Sequence, residues 1–471
     1  MGKGKVSRRG FLSATLGTAV GGMALAGLPT ARAAHSGGAS PVFQAGPSGK
    51  FAVSTHEHYG DLTEDLWLPP SWDTRVYHME GNTAPVLSPE EIRAKIQKPI
   101  GTKPLRELAA GKQNAVITFD DLSRPTPTFR ILPIVIEELK AAGIPEERIL
   151  LLTSYGSHQP MHASEVSRKL GVNLAGRFPW ANHNIWEQVT EVGTTSRGNV
   201  IKINHHFARA DLRVCISGIK IHGTAGFGGG AKAVLPGICW AESIDFIHRT
   251  IAGVGQNHNR TVGAAKIYTN ECRKDMEEAA QLARVDFTVQ TLYNGRREVT
   301  GIFAGDVIES HRVACHTAIR HYRTEQAEGA DVVIINAYPQ NAQAFNGLGW
   351  ARRGLRDGGS VVLITQYSPG LESLHYMGER WRYEHALFWD AKGRRLSPLE
   401  NSSQFIVYTG TMQQRDRTRF PGGTRFASQW QEVVERLQKQ HRGDLRVAVY
   451  PYAPIQHPPL VLDGPLPPGA A

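Results

Sequence analysis

The chain is poor in cysteine, and the few it has are far apart. Among 471 residues there are four cysteines and no Cys-x-x-Cys pair, so the pattern indicates no cysteine-based redox or metal site. In an oxidising compartment two of the four could form a disulfide, and the sequence does not say which. We interpret them instead as buried apolar residues. They are Cys215, Cys239, Cys272 and Cys315.

The chain also lacks a basic tract and, after residue 33, a long hydrophobic run. The formal net charge is +10, but residues 1–33 carry five of the positive charges and no acidic residue, which leaves +5 spread along the rest. Such a mild excess gives no reason to expect a nucleic-acid partner. Without a later apolar stretch of membrane-spanning length, we expect no stable membrane insertion.

Residues 1–33 predict a twin-arginine export signal. Arg8-Arg9 precedes an uncharged apolar stretch at 13–29, and small residues at 31–33 follow as a cleavage site. The alternative is a membrane anchor, for which about 17 residues is short. We therefore expect the twin-arginine export machinery as a partner, cleavage near Ala33, and a periplasmic or secreted protein exported in its folded state.

Apolar patterning after the signal predicts an α/β fold. Residues 115–119 and 149–153 are strand-like, and residues 128–142 between them place apolar side chains at helical spacing until Gly143. Strand, helix and strand of this length imply a parallel pair with a crossover helix.

The same pattern returns later in the chain. Further strands are predicted at 332–336, 361–366, 405–409 and 445–450, and an amphipathic helix at 426–441. We predict two α/β domains with parallel-sheet units and an active-site cleft between them. The predicted segments are the export signal at 1–33, a flexible mature N-terminus at 34–50, an N-terminal domain at 51–325, a C-terminal domain at 326–456 and a proline-rich tail at 457–471.

The richest motif is a glycine-rich stretch between His222 and Gly237. Its bare backbone N–H groups would let a phosphate or a flat ring approach closely. It is not a P-loop, and the helix that a dinucleotide fingerprint requires would be broken at 236–237. A surface turn is the alternative, but it leaves Lys232 unexplained, ten residues after His222. The glycines are Gly226, Gly228, Gly229 and Gly230.

Polar residues follow both strands of the first predicted pair. Asp121 and Arg124 lie in the motif Asp-Leu-Ser-Arg-Pro-Thr-Pro after the first strand, and His158 follows the second. Side chains at the carboxyl ends of parallel strands point into the ligand crevice of an α/β sheet. Taken alone, each is weak, since a histidine after a strand is more often an ordinary loop residue.

Taken together, these motifs resemble the nickel-pincer-dependent lactate racemase family. The likeness is collinear and covers most of the mature chain, although it weakens after about residue 350. Its most specific part is the block His-x-x-Ala-Gly-Phe-x-Gly-Gly-x-Lys-x-x-Leu-Pro-Gly. The segments that carry the resemblance are 99–101, 121–127, 156–158, 192–195, 222–237 and 303–306.

The resemblance implies a racemase or epimerase that works by reversible hydride transfer to a nickel-pincer nucleotide (nickel pyridinium-3,5-bisthiocarboxylic acid mononucleotide). The nucleotide would be attached covalently to Lys232, and His248, sixteen residues further on, would be a nickel ligand. Without the motif, His248 would be interpreted as an ordinary helix-face histidine. The family pattern also makes His158 and His222 an acid/base pair, which suits a reaction that needs a proton acceptor on each side of the carbon.

The remaining site residues follow from the same resemblance. Arg124 would orient the substrate, and Asp121 and the four glycines would lie at the cofactor. Lactate-active members carry Tyr-Gln-x-x-Lys where this chain has Phe345, Asn346 and Gly349. Losing a charged donor removes about 1.5–3 kcal/mol from anion binding, so lactate is doubtful and a larger or uncharged hydroxy compound is expected. Arg352 or Arg353 could replace the missing charge.

Two other functions compete with racemisation. One is another hydride-shuttling reaction on the same cofactor, such as oxidation or dehydration, which product chirality would distinguish. The other is a periplasmic protein that binds a small molecule without catalysis. Such a binder has no need to keep Lys232, His248, His158 and His222 together.

Overall fold

A computed structural model describes residues 42–44, 49–253, 259–367, 369, 399–417 and 419–467, without the side chains of 42–44 and 415. The predicted export signal lies outside these residues, as does the end of the predicted tail at 468–471.

The elements alternate between strands and helices along most of the chain. The strands are β1 (Val42–Gln44), β2 (Lys50–Thr55), β3 (Leu62–Trp67), β4 (Asp73–Tyr77), β5 (Ala115–Phe119), β6 (Ile149–Thr153), β7 (Trp180–Asn182), β8 (Val189–Thr194), β9 (Val200–Asn204), β10 (Leu212–Gly218), β11 (Ile221–His222), β12 (Gly226–Phe227), β13 (Phe287–Tyr293), β14 (Val299–Gly305), β15 (Ala330–Asn336), β16 (Leu355–Ile364), β17 (Ser402–Tyr408), β18 (Arg425–Ala427) and β19 (Arg446–Tyr450). The α-helices are α1 (Pro89–Gln97), α2 (Leu105–Ala109), α3 (Thr128–Ala141), α4 (Ala163–Leu170), α5 (Val172–Arg177), α6 (His205–Arg209), α7 (Ala241–Asp245), α8 (Glu271–Leu282), α9 (Glu309–His321), α10 (Gly349–Gly354), α11 (Gln414–Arg417) and α12 (Trp430–Gln440). Short 3-10 helices cover Glu80–Thr83, Glu146–Arg148, Gly230–Ala233 and Asn341–Gly347, and a π-helical turn covers Phe246–Ile251.

The first sheet has six strands in the order β14-β13-β10-β5-β6-β7, and only the β13–β14 pair is antiparallel. All five side chains of β5 are buried. Ile117 and Phe119 face one hydrophobic core, while Val116 faces another. A continuous apolar run is therefore required here, because helices cover both faces of a parallel sheet.

The second sheet has seven strands in the order β1-β4-β19-β15-β16-β17-β18. All its neighbours are parallel except β1 and β4. Its central strand β15 also faces a core on each side, with Val333 and Ile335 in one and Val332 and Ile334 in the other. Each sheet with the helices that cover it forms one unit, and in both units the central strands are buried on both faces.

The prediction of an α/β fold with two parallel-sheet units is confirmed. The strands predicted at 115–119 and 149–153 have the observed bounds and pair in parallel, and α3 ends one residue before the predicted end. The amphipathic helix predicted at 426–441 is α12, which starts at Trp430.

The N-terminal region departs from the sequence-based expectation. Val42–Gln44, within the segment predicted to be flexible, forms edge strand β1. Strand β4, assigned to the first predicted domain, pairs with β19 in the second sheet, more than 370 residues away in sequence. Nothing local in residues 73–77 encodes that pairing. The predicted domain boundaries otherwise remain predictions.

All four cysteines are free and buried, which confirms their interpretation as buried apolar residues. Within the described part of the chain, no helix is both long and apolar enough to cross a membrane.

Candidate active site

Three neighbouring parallel strands deliver the predicted site residues to one edge of the first sheet. Residues 120–126 follow β5, residues 154–158 follow β6, and residues 219–222 follow β10. Because β10, β5 and β6 are adjacent and parallel, their carboxyl ends meet at the same edge. Side chains that are up to about a hundred residues apart in sequence are thereby brought together.

A cavity of about 500 Å³ lies at this edge. The second sheet contributes to its wall through the loops that follow β15 and β19, including Gln343, Asn346 and Gln456. Both sheets therefore present strand carboxyl ends to one cavity. Of the predicted site residues, the cavity is lined by Asp121, Arg124, His158, His222, Gly228, Gly229, Lys232, His248, Phe345 and Asn346.

His158 is held by a carboxylate on one ring nitrogen and faces a guanidinium with the other. Its Nδ1 is 3.0 Å from Asp121 Oδ2, and its Nε2 is 3.2 Å from Arg124 NH2. A carboxylate accepts and a guanidinium donates, so the neutral ring carries its proton on Nδ1 and a lone pair on Nε2. Burial would raise the pKa of Asp121, but His158 and Arg124 hold it well below its usual range. His158 is thus oriented as a proton acceptor.

In His222 the roles of the two ring nitrogens are the reverse of those in His158. It belongs to the short hairpin β11–β12, and in the turn the backbone N–H groups of Thr224 and Ala225 both donate to its Nδ1, at 3.1 Å. The neutral ring therefore carries its proton on Nε2. Burial, with the charges of Lys232 and Lys220, lowers the pKa of His222 well below its usual range. Its side chain is oriented as a hydrogen-bond donor.

Lys232 lies at the cavity without a partner for its ammonium group. Within the described residues, its Nζ makes no hydrogen bond and no ion pair. Desolvation, together with the charges of Arg124 and Arg273, lowers the pKa of Lys232 to about 7. A large fraction of the amine is therefore neutral and nucleophilic at neutral pH.

His248 lies on a π-helical turn, a local geometry that is frequent at functional sites. Its Nδ1 is 2.8 Å from the carbonyl oxygen of Ile244, to which only a ring N–H can bond. Desolvation lowers the pKa of His248 to about 4, so the ring is neutral at pH 7. A neutral imidazole with its Nδ1–H bound to a carbonyl presents Nε2 as a metal ligand.

The described residues hold no group of three or more histidine, cysteine, aspartate or glutamate side chains that could bind a metal by themselves. A metal at His248 would therefore need most of its ligands from a bound organic group. The amine of Lys232 and the imidazole of His248 line the same cavity. These residues fit a metal-carrying cofactor attached to lysine.

The glycines of the motif divide into two groups. Gly228 and Gly229 line the cavity, as predicted for cofactor contacts. The structure does not place Gly226 and Gly230 on its wall. An added Cβ on Gly226, whose φ is 73°, would lie 1.9 Å from the carbonyl oxygen of Lys266, so this glycine is required by the close approach of two backbones.

Arg273 supports the glycine-rich loop from behind, and it is not among the site residues predicted from the sequence. It is fully buried on α8 and donates to the carbonyl oxygens of Ala225, Phe227 and Gly229. The carbonyl oxygens of Ala225 and Gly229 also accept from backbone N–H groups, so the guanidinium adds further hydrogen bonds that hold the loop in place. No motif signals a residue that contacts only backbone atoms.

The predicted substrate residues of the second unit are only partly at the cavity. Asn346 Nδ2 donates to Gln343 Oε1 at 3.0 Å, and Gln343 also accepts from Arg124 NH1 at 3.0 Å. Phe345 packs on Phe420, with its ring centroid 4.8 Å away.

Gly349 begins α10, and neither it nor Arg352 or Arg353 is among the described residues on the cavity wall. Two other cations, Lys220 and Arg419, lie there instead. The suggestion that Arg352 or Arg353 replaces the missing lysine charge therefore finds no support in their placement.

The chain is similar to known proteins across this region. Residues 59–261 match the family described as the lactate racemase N-terminal domain. A lactate racemase from Lactiplantibacillus plantarum is 30% identical over 294 residues, which is 60% of this chain and 66% of that protein. One from Thermoanaerobacterium thermosaccharolyticum is 29% identical over 298 residues, or 60% of this chain and 67% of that protein.

Solved structures agree on the fold. The lactate racemase apoprotein from Thermoanaerobacterium thermosaccharolyticum has a TM-score of 0.65 at 21% identity and covers 86% of this chain and 99% of its own. A structural-genomics protein from Thermotoga maritima has a TM-score of 0.56 at 17% identity, covering 79% and 98%. At these identities the likeness establishes the fold alone.

Proposed function

We propose that the chain, whose residues 59–261 match the lactate racemase N-terminal domain family, is a nickel-dependent racemase or epimerase that inverts the alcohol carbon of a hydroxy acid or a related secondary alcohol. The observation that carries the proposal is the convergence of His158, His222, Lys232 and His248 on one cavity. A binding protein would need neither a neutralised lysine nor two oppositely oriented histidines. The matched segment spans 66% of the first relative's own length, so the activity of the whole protein is part of the proposal.

We propose that Lys232 and His248 hold a nickel-pincer nucleotide. Lys232 would supply the covalent attachment through its neutral amine, and His248 Nε2 would supply a nickel ligand. The chemistry that such a nucleotide supplies when bound is the reversible acceptance of a hydride from the substrate carbon. Gly228 and Gly229 leave room beside it, because neither has a side chain on the cavity wall.

The proton of the substrate hydroxyl would move to His158. Its Nε2 carries the lone pair, and the imidazolium that forms would be stabilised by Asp121 at 3.0 Å. Arg124 already donates toward that nitrogen, so a substrate oxygen that replaces this contact would be oriented by the same guanidinium.

His222 would donate to the substrate oxygen from its own position on the cavity. Its Nδ1 is occupied by two backbone N–H groups, which leaves Nε2 to interact with the substrate. The two enantiomers present their hydroxyl groups differently, so the ring that accepts a proton in one direction has to return it in the other. His222 would therefore need to hold a second proton before it could act as the acid.

We further propose that lactate is not the preferred substrate and that a larger hydroxy compound is. The support comes from the sequence difference at Gly349, which removes the lysine of the lactate-active pattern. Removing such a charged donor weakens binding of a small anion by about 1.5–3 kcal/mol. The larger substrate would gain contacts with the second unit, where Asn346 lines the cavity.

We also propose that the protein is exported and acts in the periplasm or outside the cell. The support is the twin-arginine pattern in residues 1–33 alone. N-terminal sequencing of the protein from its native host should show a mature chain that starts just after Ala33. A full-length chain retained in the cytoplasm would contradict export.

The test of the function uses protein produced in a host that makes the nucleotide. Each enantiomer of lactate, glycerate and gluconate is incubated with wild type and with Lys232→Arg, and the products are separated by chiral chromatography. Epimerisation without net oxidation, one nickel per chain and an adduct on the Lys232 peptide are expected for wild type only. A net oxidised or dehydrated product would favour the competing hydride-shuttling reaction. Binding of these compounds by a nickel-free, adduct-free native protein without turnover would favour a binding protein.

A further inference from the structure

The wall of the cavity carries more positive than negative charge. Both of its carboxylates already have cationic or histidine partners, because Asp120 Oδ1 is 2.6 Å from Lys169 Nζ and Asp121 Oδ2 is 3.0 Å from His158. Within the described residues, neither Arg124 nor Lys220 forms an ion pair with a carboxylate. The electrostatics of the cavity therefore favour binding of an anion.

Lys220 is the most enclosed of these cations. It lies two residues beyond the end of β10 and two before His222, and only 7% of its surface is exposed. Its ammonium donates to Gln340 Oε1, and Gln340 Nε2 in turn donates to the carbonyl oxygen of Ser123 at 2.8 Å. The lysine is thus anchored to the second unit by a neutral amide and keeps donors for a further partner.

A buried ammonium without a counter-ion is unfavourable, and an anion that enters the cavity relieves this cost. Lys232 would lose its charge when it forms the proposed covalent bond, since an acylated amine is neutral. Arg124 would keep its charge, and Lys220 would be charged once an anion binds beside it. Both lie on the cavity wall with the two histidines.

We propose that Lys220, together with Arg124, binds the carboxylate of the substrate, so that the substrate is a hydroxy acid and not a polyol or a neutral sugar. This inference rests on the racemase or epimerase function proposed above and narrows its substrate class. The carboxylate anchor would lie beyond the end of β10 and not at position 349. A carboxylate-binding residue at this different position explains how a chain with Gly349 can still select an acid.

Protonation of Lys220 should accompany binding. Burial and the charges of Arg124 and Lys232 hold the pKa of Lys220 well below its usual range. A bound carboxylate raises that pKa, so the protein takes up a proton from the buffer when the anion binds.

The test is calorimetric binding with two matched pairs of probes, lactate with propane-1,2-diol and gluconate with glucitol. Wild type should bind the acid of at least one pair ten-fold or more tightly than its polyol, with proton uptake that appears as a dependence on buffer ionisation enthalpy. Lys220→Met, which keeps the length of the side chain, should lose most of that preference, and Lys220→Arg should keep part of it. Lys140→Met is the matched control, because Lys140 is an exposed lysine paired with Glu146.

A second pair of variants leaves Lys220 in place. Gln340→Glu gives its ammonium an internal carboxylate and should abolish the preference for acids. Gln340→Met removes the same hydrogen bonds without adding charge and should retain the preference. This comparison stands even where Lys220→Met fails to fold.

The outcomes separate this inference from the proposed function. Equal binding of acid and polyol by wild type, or an acid preference that survives in both Lys220→Met and Gln340→Glu, would overturn the role of Lys220. The same is true if intact mass and nickel analysis show that Lys220→Met loses the adduct, because the lysine would then serve an anionic group of the cofactor. A Lys220-dependent preference for acids without any epimerisation would leave the anion site standing and remove the proposed reaction.

Discussion

In the cofactor-free protein, Lys232 should react with an acylating reagent much faster than an exposed lysine does. Its pKa is lowered from 10.5 to about 7 by desolvation and by the charges of Arg124 and Arg273. At pH 7 about half of this amine is neutral, whereas roughly 0.03% of an ordinary lysine is. Because only the neutral form is a nucleophile, acylation should accelerate as the pH rises through about 7 and then level off.

The perturbation is Arg124→Gln, which removes a positive charge and leaves a polar side chain. Loss of that repulsion should raise the pKa of Lys232 by on the order of one unit, or about 1.4 kcal/mol. The neutral fraction at pH 7 would fall from about one half to about one tenth, so acylation should slow roughly five-fold and its midpoint move toward pH 8.

The assay is limited acylation by an amine-specific ester between pH 6 and 10, followed by peptide mass spectrometry. Exposed Lys140 in the same digest serves as an internal reference for reagent reactivity. At pH 7 the Lys232 peptide should be modified at least ten-fold faster than the Lys140 peptide. A Lys232 midpoint above pH 9, or one that Arg124→Gln leaves unchanged, would refute this account of its electrostatic environment.

Three further predictions concern other parts of the site. His158→Gln and His222→Gln should each reduce epimerisation about 100-fold or more from either enantiomer while the Lys232 adduct remains, as checked by chiral assay and intact mass, and unchanged turnover would refute the assignment. His248→Ala should lower the nickel content without removing the adduct, which metal analysis beside intact mass would show; loss of both together would point to misfolding instead. Lys169→Met should leave Asp120 buried without its cation and destabilise the fold by about 3–5 kcal/mol in denaturant unfolding, and a change below about 1 kcal/mol would contradict the importance of that ion pair.

Much of the first sheet could be predicted from local sequence. The bounds of β5 and β6 follow from short, fully apolar runs, and the end of α3 from Gly143, because in each case the signal lies within the element itself. The family resemblance, which also rests on local motifs, singled out six residues that line the cavity. They are Asp121, Arg124, His158, His222, Lys232 and His248.

The directions of the two histidine rings depended on tertiary structure. Asp121, which lies 37 residues earlier in the chain, accepts a hydrogen bond from Nδ1 of His158 and so leaves Nε2 as the acceptor. In His222, two backbone N–H groups of the folded hairpin turn donate to Nδ1, so the ring proton is on Nε2. Hydrogen-bond partners set the tautomer of a histidine, and a list of residue types does not contain them.

What the sequence by itself determined was therefore the alternation of strands and helices and the identity of the motif residues, since apolar periodicity and motif spacing are local properties. Only the tertiary structure decided that β4 joins the second sheet beside β19, that Lys220 faces the cavity, and that Gly349 does not. Each of these depends on which segments meet across long separations in the chain. These long-range contacts are determined by the packing of whole sheets and by the hydrogen bonding of buried polar groups. Neither can be predicted from a short window of sequence.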